Sequence, residues 1–182
     1  MDIMIDLETG GLKAGCPVLA IGACSFDSSE KFYQKISLDS CLSAGLKILP
    51  ETMAWWDKQD PRAREEAFSG TKDLVMVLGE FSDWFIGLQR TKGDIYIWGN
   101  GADFDLPILS AAYQAVEMKE PWKPYNGRCY RTLKNLFYDV KPDKFEGIKH
   151  TALADAEFQA AHALKILKAR KANSPMRTTY TD

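Results

Sequence analysis

Two carboxylates one residue apart open the chain. The segment Asp2-Ile3-Met4-Ile5-Asp6-Leu7-Glu8-Thr9-Gly10-Gly11 reads as a short apolar strand that ends in D-x-E and breaks at a glycine pair. Alternate side chains of a strand share a face, so Asp6 and Glu8 point the same way, close enough to share a hard cation. Two unpaired anions at the end of a buried strand are costly, and a divalent metal removes that cost. D-x-E alone carries little weight, because it recurs at Asp155-Ala156-Glu157 and about one is expected by chance at this length. Its companions carry the weight. Asn100-Gly101-Ala102-Asp103-Phe104-Asp105 follows the apolar run Asp94-Ile95-Tyr96-Ile97-Trp98 and leads into a helical pattern of Leu106, Ile108, Leu109 and Ala112. His150-Thr151-Ala152-Leu153-Ala154-Asp155 opens the last helix. Oxygen ligands for divalent cations, with an imidazole able to carry a proton near neutral pH, are what hydrolysis of a phosphodiester at two metal ions uses.

In this order the motifs resemble the exonuclease motifs of the DEDDh family, the DnaQ-like 3′-to-5′ exonucleases. Trp55-Trp56 with Gln59 and Ala63-Arg64, Trp98-Gly99-Asn100-Gly101, Pro121-Trp122 and Arg128-Cys129-Tyr130-Arg131-Thr132-Leu133 are similar to the branch related to the exonuclease VIII nuclease region. That branch includes a mycobacterial exoribonuclease and many phage or prophage proteins. The resemblance spans roughly residues 1–168 and implies a ribonuclease H-like fold. It also implies a metal-dependent 3′-to-5′ exonuclease that releases nucleoside 5′-monophosphates from the 3′ ends of single-stranded DNA, with RNA as the alternative. Two divalent cations, Mg²⁺ or Mn²⁺, would suit the all-oxygen ligand set. By the resemblance Asp6, Glu8, Asp105 and Asp155 hold the metals, with Asp6 shared between them, and His150 is the general base. Thr9, Gly10, Gly11 and Leu12 would hold the terminal nucleotide, Leu12 packing on its base, and Asn100 and Trp55 join the expected substrate contacts.

Several alternatives stay open on the residues alone. Asp103 could replace Asp105 as a ligand; its other job would be to cap the helix that follows. Turn duty explains Gly10 and Gly11 as well as nucleotide binding does. Trp55 and Trp56 are adjacent, so they cannot both face one core, and one of them could stack on a base. His162, two turns beyond Asp155, reads as structural. Arg131 stands where many family members carry Asp, Thr151 where close relatives often have Asn, and Ala154 where they often have a second Asp. These departures leave the metal set intact and affect fine positioning. The rival classes are a nuclease-dead nucleic-acid-binding module and a metal-dependent phosphatase acting on small nucleotides.

The elements that must position these groups follow from periodicity. Strands are expected at 2–7, 17–26 and 31–37 as an antiparallel meander, and a fourth at 94–98. A short helix runs from Pro50 to about Lys58, and Asp60-Pro61 caps and starts another. Thr71 is expected to cap an amphipathic helix carrying Leu74, Val77, Leu78, Phe81, Trp84 and Phe85. Helix follows Asp105 to about residue 116, a short one lies near 132–138, and an alanine-rich one spans 152–170. The result is an α/β class with a mixed central sheet flanked by helices, one domain over 1–170 and a loosely held tail at 171–182.

Composition agrees with this class. A chain of 182 residues, 46% apolar and 26% charged, is large enough to bury roughly two-thirds of its unfolded surface. No uncharged apolar run approaches the roughly 18 residues of a membrane span, and the basic-then-apolar start of a signal peptide is missing, so the protein reads as cytoplasmic. Cys16, Cys24, Cys41 and Cys129 show neither C-x-x-C nor zinc spacing and read as reduced thiols. The net charge of −2 argues against a protein that coats nucleic acid broadly. Residues 1–91 carry nine Lys/Arg against fourteen Asp/Glu, and 92–182 fourteen against eleven. The basic residues after Glu157 form either a solvated helix face or a positive rim that guides a polyanion.

Overall fold

Alternation along the first strand divides the interior in two. In β1 (Asp2–Thr9), Ile3, Ile5 and Leu7 sink into one core while Met4 enters another on the opposite face. The computed structural model describes residues 1–145 and 147–172. β1 lies at the centre of a five-stranded sheet with β2 (Val18–Ser25), β3 (Lys31–Lys35), β4 (Tyr96–Gly99) and β5 (Gly127–Cys129), in the order β3-β2-β1-β4-β5. The β1–β2 and β2–β3 pairs are antiparallel, as the meander requires, and β1–β4 and β4–β5 are parallel. The sheet is mixed, as expected. β1 continues through Thr9, so both Asp6 and Glu8 lie within the strand.

Three short helices, α1 (Leu38–Ser43), α2 (Pro50–Trp56) and α3 (Pro61–Phe68), follow the meander. Asp60 caps α3 as expected, its carboxylate accepting from Arg62 N at 2.9 Å. The odd face of β1 is covered by α4 (Leu74–Lys92) and α5 (Asp105–Ala115), which bury Val77, Leu78, Phe81, Phe85, Ile108, Leu109 and Ala112. Thr71 is not the cap of α4. Asp73 is, accepting from Val75 N at 2.8 Å, because the chain is still extended at Lys72, which bridges Ile36 and whose carbonyl accepts from Ser37 N. Nor does Asp103 cap α5, whose N-cap is Phe104, with no side-chain hydrogen bond.

On the even face lie α6 (Tyr130–Leu136) and α7 (Ala152–Ala172). α7 packs through Ala156, Ala160 and Ala163, small enough to bring its axis close to the sheet. Its start rests on Gly22 of β2, where an added Cβ would lie 2.2–2.4 Å from backbone atoms of Ala152 and Leu153. α7 runs two residues past its expected end; the rest of the expected tail, 173–182, lies outside the described residues. The cysteines are free: Cys16, Cys24 and Cys41 are buried and Cys129 is half-buried. Among the described residues no helix is long and apolar enough to cross a membrane.

Candidate active site

The even face of β1 that buries Met4 also presents Asp6 and Glu8, toward the first turns of α7. Gly22 pairs with Asp6 in register, so the close approach of α7 at Gly22 delivers Asp155 to the same spot. Asp6, Glu8 and Asp155 each offer an oxygen, all within 4.8 Å of one another. Asp105 arrives from the other side, as the first residue of α5 just beyond β4, the parallel neighbour of β1. It is 1% exposed. Gly99 makes room for it, since a Cβ there would lie 2.8 Å from Asp105 Oδ2. That oxygen accepts from Asn100 N at 2.7 Å, whereas Oδ1 is buried without a partner.

These carboxylates destabilise one another's charge. Burial, then the fields of Asp105, Glu8 and Asp155, push Asp6 well above the usual carboxylate range. Burial, then Asp155 and Asp105, raise Glu8 to about 8. Burial raises Asp105 to about 6 against backbone hydrogen bonds and Arg131, which pull it down. Asp155 is also raised by burial, partly offset by the His150 N–H it accepts. A hard divalent cation fits this set: it supplies the missing positive charge, accepts all-oxygen ligation and satisfies the orphaned Asp105 Oδ1.

His150 sits on the wall of the same cleft, a space of about 730 Å³. Its backbone is in the left-handed region, φ +62°, and its N–H donates to Asp155 Oδ2 at 2.7 Å. That bond fastens the loop to the helix. The imidazole is held edge-on to Trp55, centroids 4.9 Å apart, and more distantly to Trp56 at 6.3 Å. The tryptophan pair divides its labour. Trp56 is buried and donates from Nε1 to Thr9 O at 3.0 Å, while Trp55 is 41% exposed and lines the cleft.

The other expected substrate contacts separate in space. Thr9, Leu12 and Asn100 line the cleft with Asp103, and Leu12 is 61% exposed. Gly10 and Gly11 stand behind this wall. The Gly10 N–H and carbonyl bond Pro17 O and Leu49 N, and Gly11 O accepts from Thr9 Oγ1 at 2.6 Å. His162 lies outside the cleft, bonded through Nδ1 to Tyr130 Oη and through Nε2 to Val140 O.

Sequence reasoning missed Gln159. Its Nε2 donates to Asp6 Oδ1 at 2.7 Å, and its Oε1 is buried without a partner. The signal was present: Gln159 follows Asp155 by four residues, hence on the same helix face. Arg131, read only as a departure from a pattern, also lines the cleft.

Comparison with known proteins bears on the fold and the family. Among solved structures, the nuclease domain of 3′hExo, a DEDDh family member determined bound to rAMP, matches with a TM-score of 0.60 at 16% identity, over 92% of this chain and 92% of that one. Cell-death related nuclease 4 (CRN-4) matches with a TM-score of 0.58 at 14% identity, over 92% of this chain and 64% of that one. At such identities the likeness establishes the fold, which is the ribonuclease H-like one. No curated protein matches. A family model, the 3′-5′ exoribonuclease Rv2179c-like domain, matches residues 1–167, a span that runs from Asp6 past Asp155 and so contains every acid brought together in the cleft. The chain therefore belongs to the Rv2179c-like 3′-5′ exoribonuclease domain family and is a 3′-5′ exonuclease.

Proposed function

We propose that the protein shortens single-stranded nucleic acid one nucleotide at a time from its 3′ end, releasing nucleoside 5′-monophosphates, with Asp6, Glu8, Asp105, Asp155 and His150 as the reacting centre. The observation that carries this reading is the meeting of Asp6, Glu8 and Asp155 oxygens within 4.8 Å, beside the unpartnered Asp105 Oδ1 and in one cleft with His150. Asp6, Glu8 and Asp155 would hold one Mg²⁺ or Mn²⁺, and Asp6 with Asp105 a second. Such ions, when bound, lower the pKa of water and stabilise the charge of a leaving oxygen.

The chain's own groups do the rest. Water attacks phosphorus, the P–O3′ bond breaks, the water's proton passes to the His150 imidazole and the leaving 3′-oxygen takes a proton from solvent. The imidazole packs against Trp55, and the backbone N–H of His150 fixes its loop to Asp155. Gln159 holds Asp6 in one orientation. Trp55 and Leu12 supply apolar surface for the terminal base. Thr9 spends its hydroxyl proton on Gly11 O, which leaves no dedicated side-chain donor on that turn for a 2′-hydroxyl. DNA and RNA ends are therefore both substrates, with efficiencies within about tenfold of each other, the effect of one modest hydrogen bond. A second reading, restriction to RNA, is favoured by the description of the family.

The test uses 5′-labelled single-stranded DNA and RNA of matched sequence, and their duplexes, with Mg²⁺ or Mn²⁺. The expected product is a ladder descending in single-nucleotide steps, slowed by a blocked 3′-hydroxyl and by blunt duplex ends. Immediate release of a labelled 5′ mononucleotide, or cutting of a closed circle, overturns the proposal. A preference for RNA above about a hundredfold, some 2.7 kcal/mol, replaces it with the second reading.

A further inference from the structure

Charge around the cleft poses a problem for a polyanionic substrate. Beyond the four inner acids, Glu51 and Asp103 also line the cleft, and among the described residues the only guanidinium or ammonium on its wall is that of Arg131. Metal ions would offset this field at the scissile link, but phosphates further along the strand need cations from the protein. On α7, Lys165 bonds Asp143 at 2.7 Å and Arg170 pairs with Asp139, and neither lines the cleft. Arg128 is also engaged, its guanidinium 4.5 Å above the Tyr96 ring and bonded to the carbonyls of Tyr125 and Gly127.

On α6, Arg131 and Lys134, three residues apart and so on neighbouring positions of one face, form no ion pair with a carboxylate among the described residues. Arg131 is exposed at the cleft wall. Lys134 Nζ lies 4.9 Å from the Tyr130 ring centroid, and burial together with the positive field of Arg131 holds its ammonium below the usual lysine range. An anion placed between the two relieves that repulsion. α6 is a firm base for them: Tyr130, 3% exposed, is anchored to α7 through its hydrogen bond with His162 at 2.8 Å.

We infer that Arg131 and Lys134 form a phosphate track that seats the substrate backbone on the 5′ side of the terminal nucleotide, Arg131 nearest the carboxylates and Lys134 one phosphate further out. The inference rests on the exonuclease reading of the cleft. It makes α6, rather than the basic end of α7, the surface that receives the strand.

The track is tested in the full chain with Arg131→Gln, Lys134→Gln and the double variant, and with Lys165→Gln as a charge-matched control. Binding of a fluorescein-labelled single-stranded 12-mer is followed by anisotropy against salt, with Mg²⁺ present and in a His150→Ala background that suppresses turnover. Each track substitution should reduce the slope of log K against log salt by about 0.7, the value for one phosphate contact on a single strand. The double variant should lose about twice that, and the control nothing. With His150 intact, Lys134→Gln should raise KM several-fold more for the 12-mer than for a dinucleotide, which has one phosphodiester, whereas Arg131→Gln should raise both. Thermal stabilisation by Mn²⁺ should match wild type in all variants, showing an intact carboxylate centre. Salt slopes unmoved by both substitutions, or an equal KM effect of Lys134→Gln on dinucleotide and 12-mer, overturn the inference. Failure of the wild type to shorten any strand sinks the exonuclease reading instead, and the salt slopes still decide the track.

Discussion

Gln159 donates from Nε2 to Oδ1 of Asp6 at 2.7 Å, tying the second turn of α7 to the middle of the central strand. The bond lowers the charging penalty of Asp6, against the burial and neighbouring acids that raise it. Partners of this kind orient metal-binding carboxylates, and their loss typically costs about 10–100-fold in metal affinity or activity. Gln159→Leu should therefore weaken Mn²⁺-induced thermal stabilisation and turnover by a factor in that range. Gln159→Glu should be worse, since it adds another acid beside Asp6. A Mn²⁺ dependence unchanged in the Leu variant would reduce Gln159 to a packing residue.

Asp6 and Asp155 come from opposite ends of the chain to share one site. Asp6→Ala and Asp155→Ala should each abolish turnover as completely as a chelator does, while leaving the protein folded by circular dichroism. Near-normal activity of either variant with Mg²⁺ would remove that residue from the metal set.

His150 touches the cleft but contributes no oxygen to the acid cluster. As general base, its replacement by Ala should leave Mn²⁺ binding near normal and lower kcat by roughly 10² to 10⁴. Single-turnover kinetics at saturating substrate measure this directly. An unchanged rate would return His150 to a structural role in its loop.

Gly22 admits the start of α7, and a side chain there collides with backbone rather than with a movable side-chain tip. Overpacking of this sort costs about 1–3 kcal/mol, or roughly 3–10 °C in melting temperature for a chain of this size. Gly22→Val should lower stability by that much. It should also lower activity more than stability alone explains, because Asp155 and His150 move outward with the helix. A variant that melts early but keeps full turnover and Mn²⁺ affinity would show that α7 tolerates the shift.

Protonation of the cluster sets a pH dependence whose sign follows from the raised values. Glu8 stands at about 8 and Asp105 at about 6, against ordinary values of 4.5 and 3.8. Between the ordinary and raised values the folded, metal-free protein binds more protons than the unfolded chain, so its stability falls as pH rises from about 4 to about 8. Cations compete with those protons and bind better at the alkaline end. In chelator the melting temperature should fall between about pH 5.5 and 8, and stabilisation by Mn²⁺ should be larger at pH 8 by about 5 °C or more. A Mn²⁺ effect independent of pH would contradict the raised carboxylates.

Much of this molecule is local, and the local part was legible in the residues. Strand alternation alone puts Asp6 and Glu8 on one face with Met4, Asp60-Pro61 starts α3 as its cap chemistry dictates, and the acids and histidine of the cleft appear in a recognisable order. These features depend on backbone period and on neighbours within a few residues. What only tertiary structure decided depends on surfaces meeting. The start of α4 moved from Thr71 to Asp73 because a bridge between Ile36 and Lys72 holds the chain extended. Trp56 went into the core and Trp55 to the cleft because α2 has one buried face, whose direction is set by its contacts with Leu19, Ala63 and Ala67. Gln159 and Asp155 became neighbours of Asp6 because Gly22 and a row of alanines let α7 settle close to the sheet. Residues 153 positions apart meet at a hydrogen bond, and that meeting is set by the depth and register of helix packing, which no periodicity along the chain encodes.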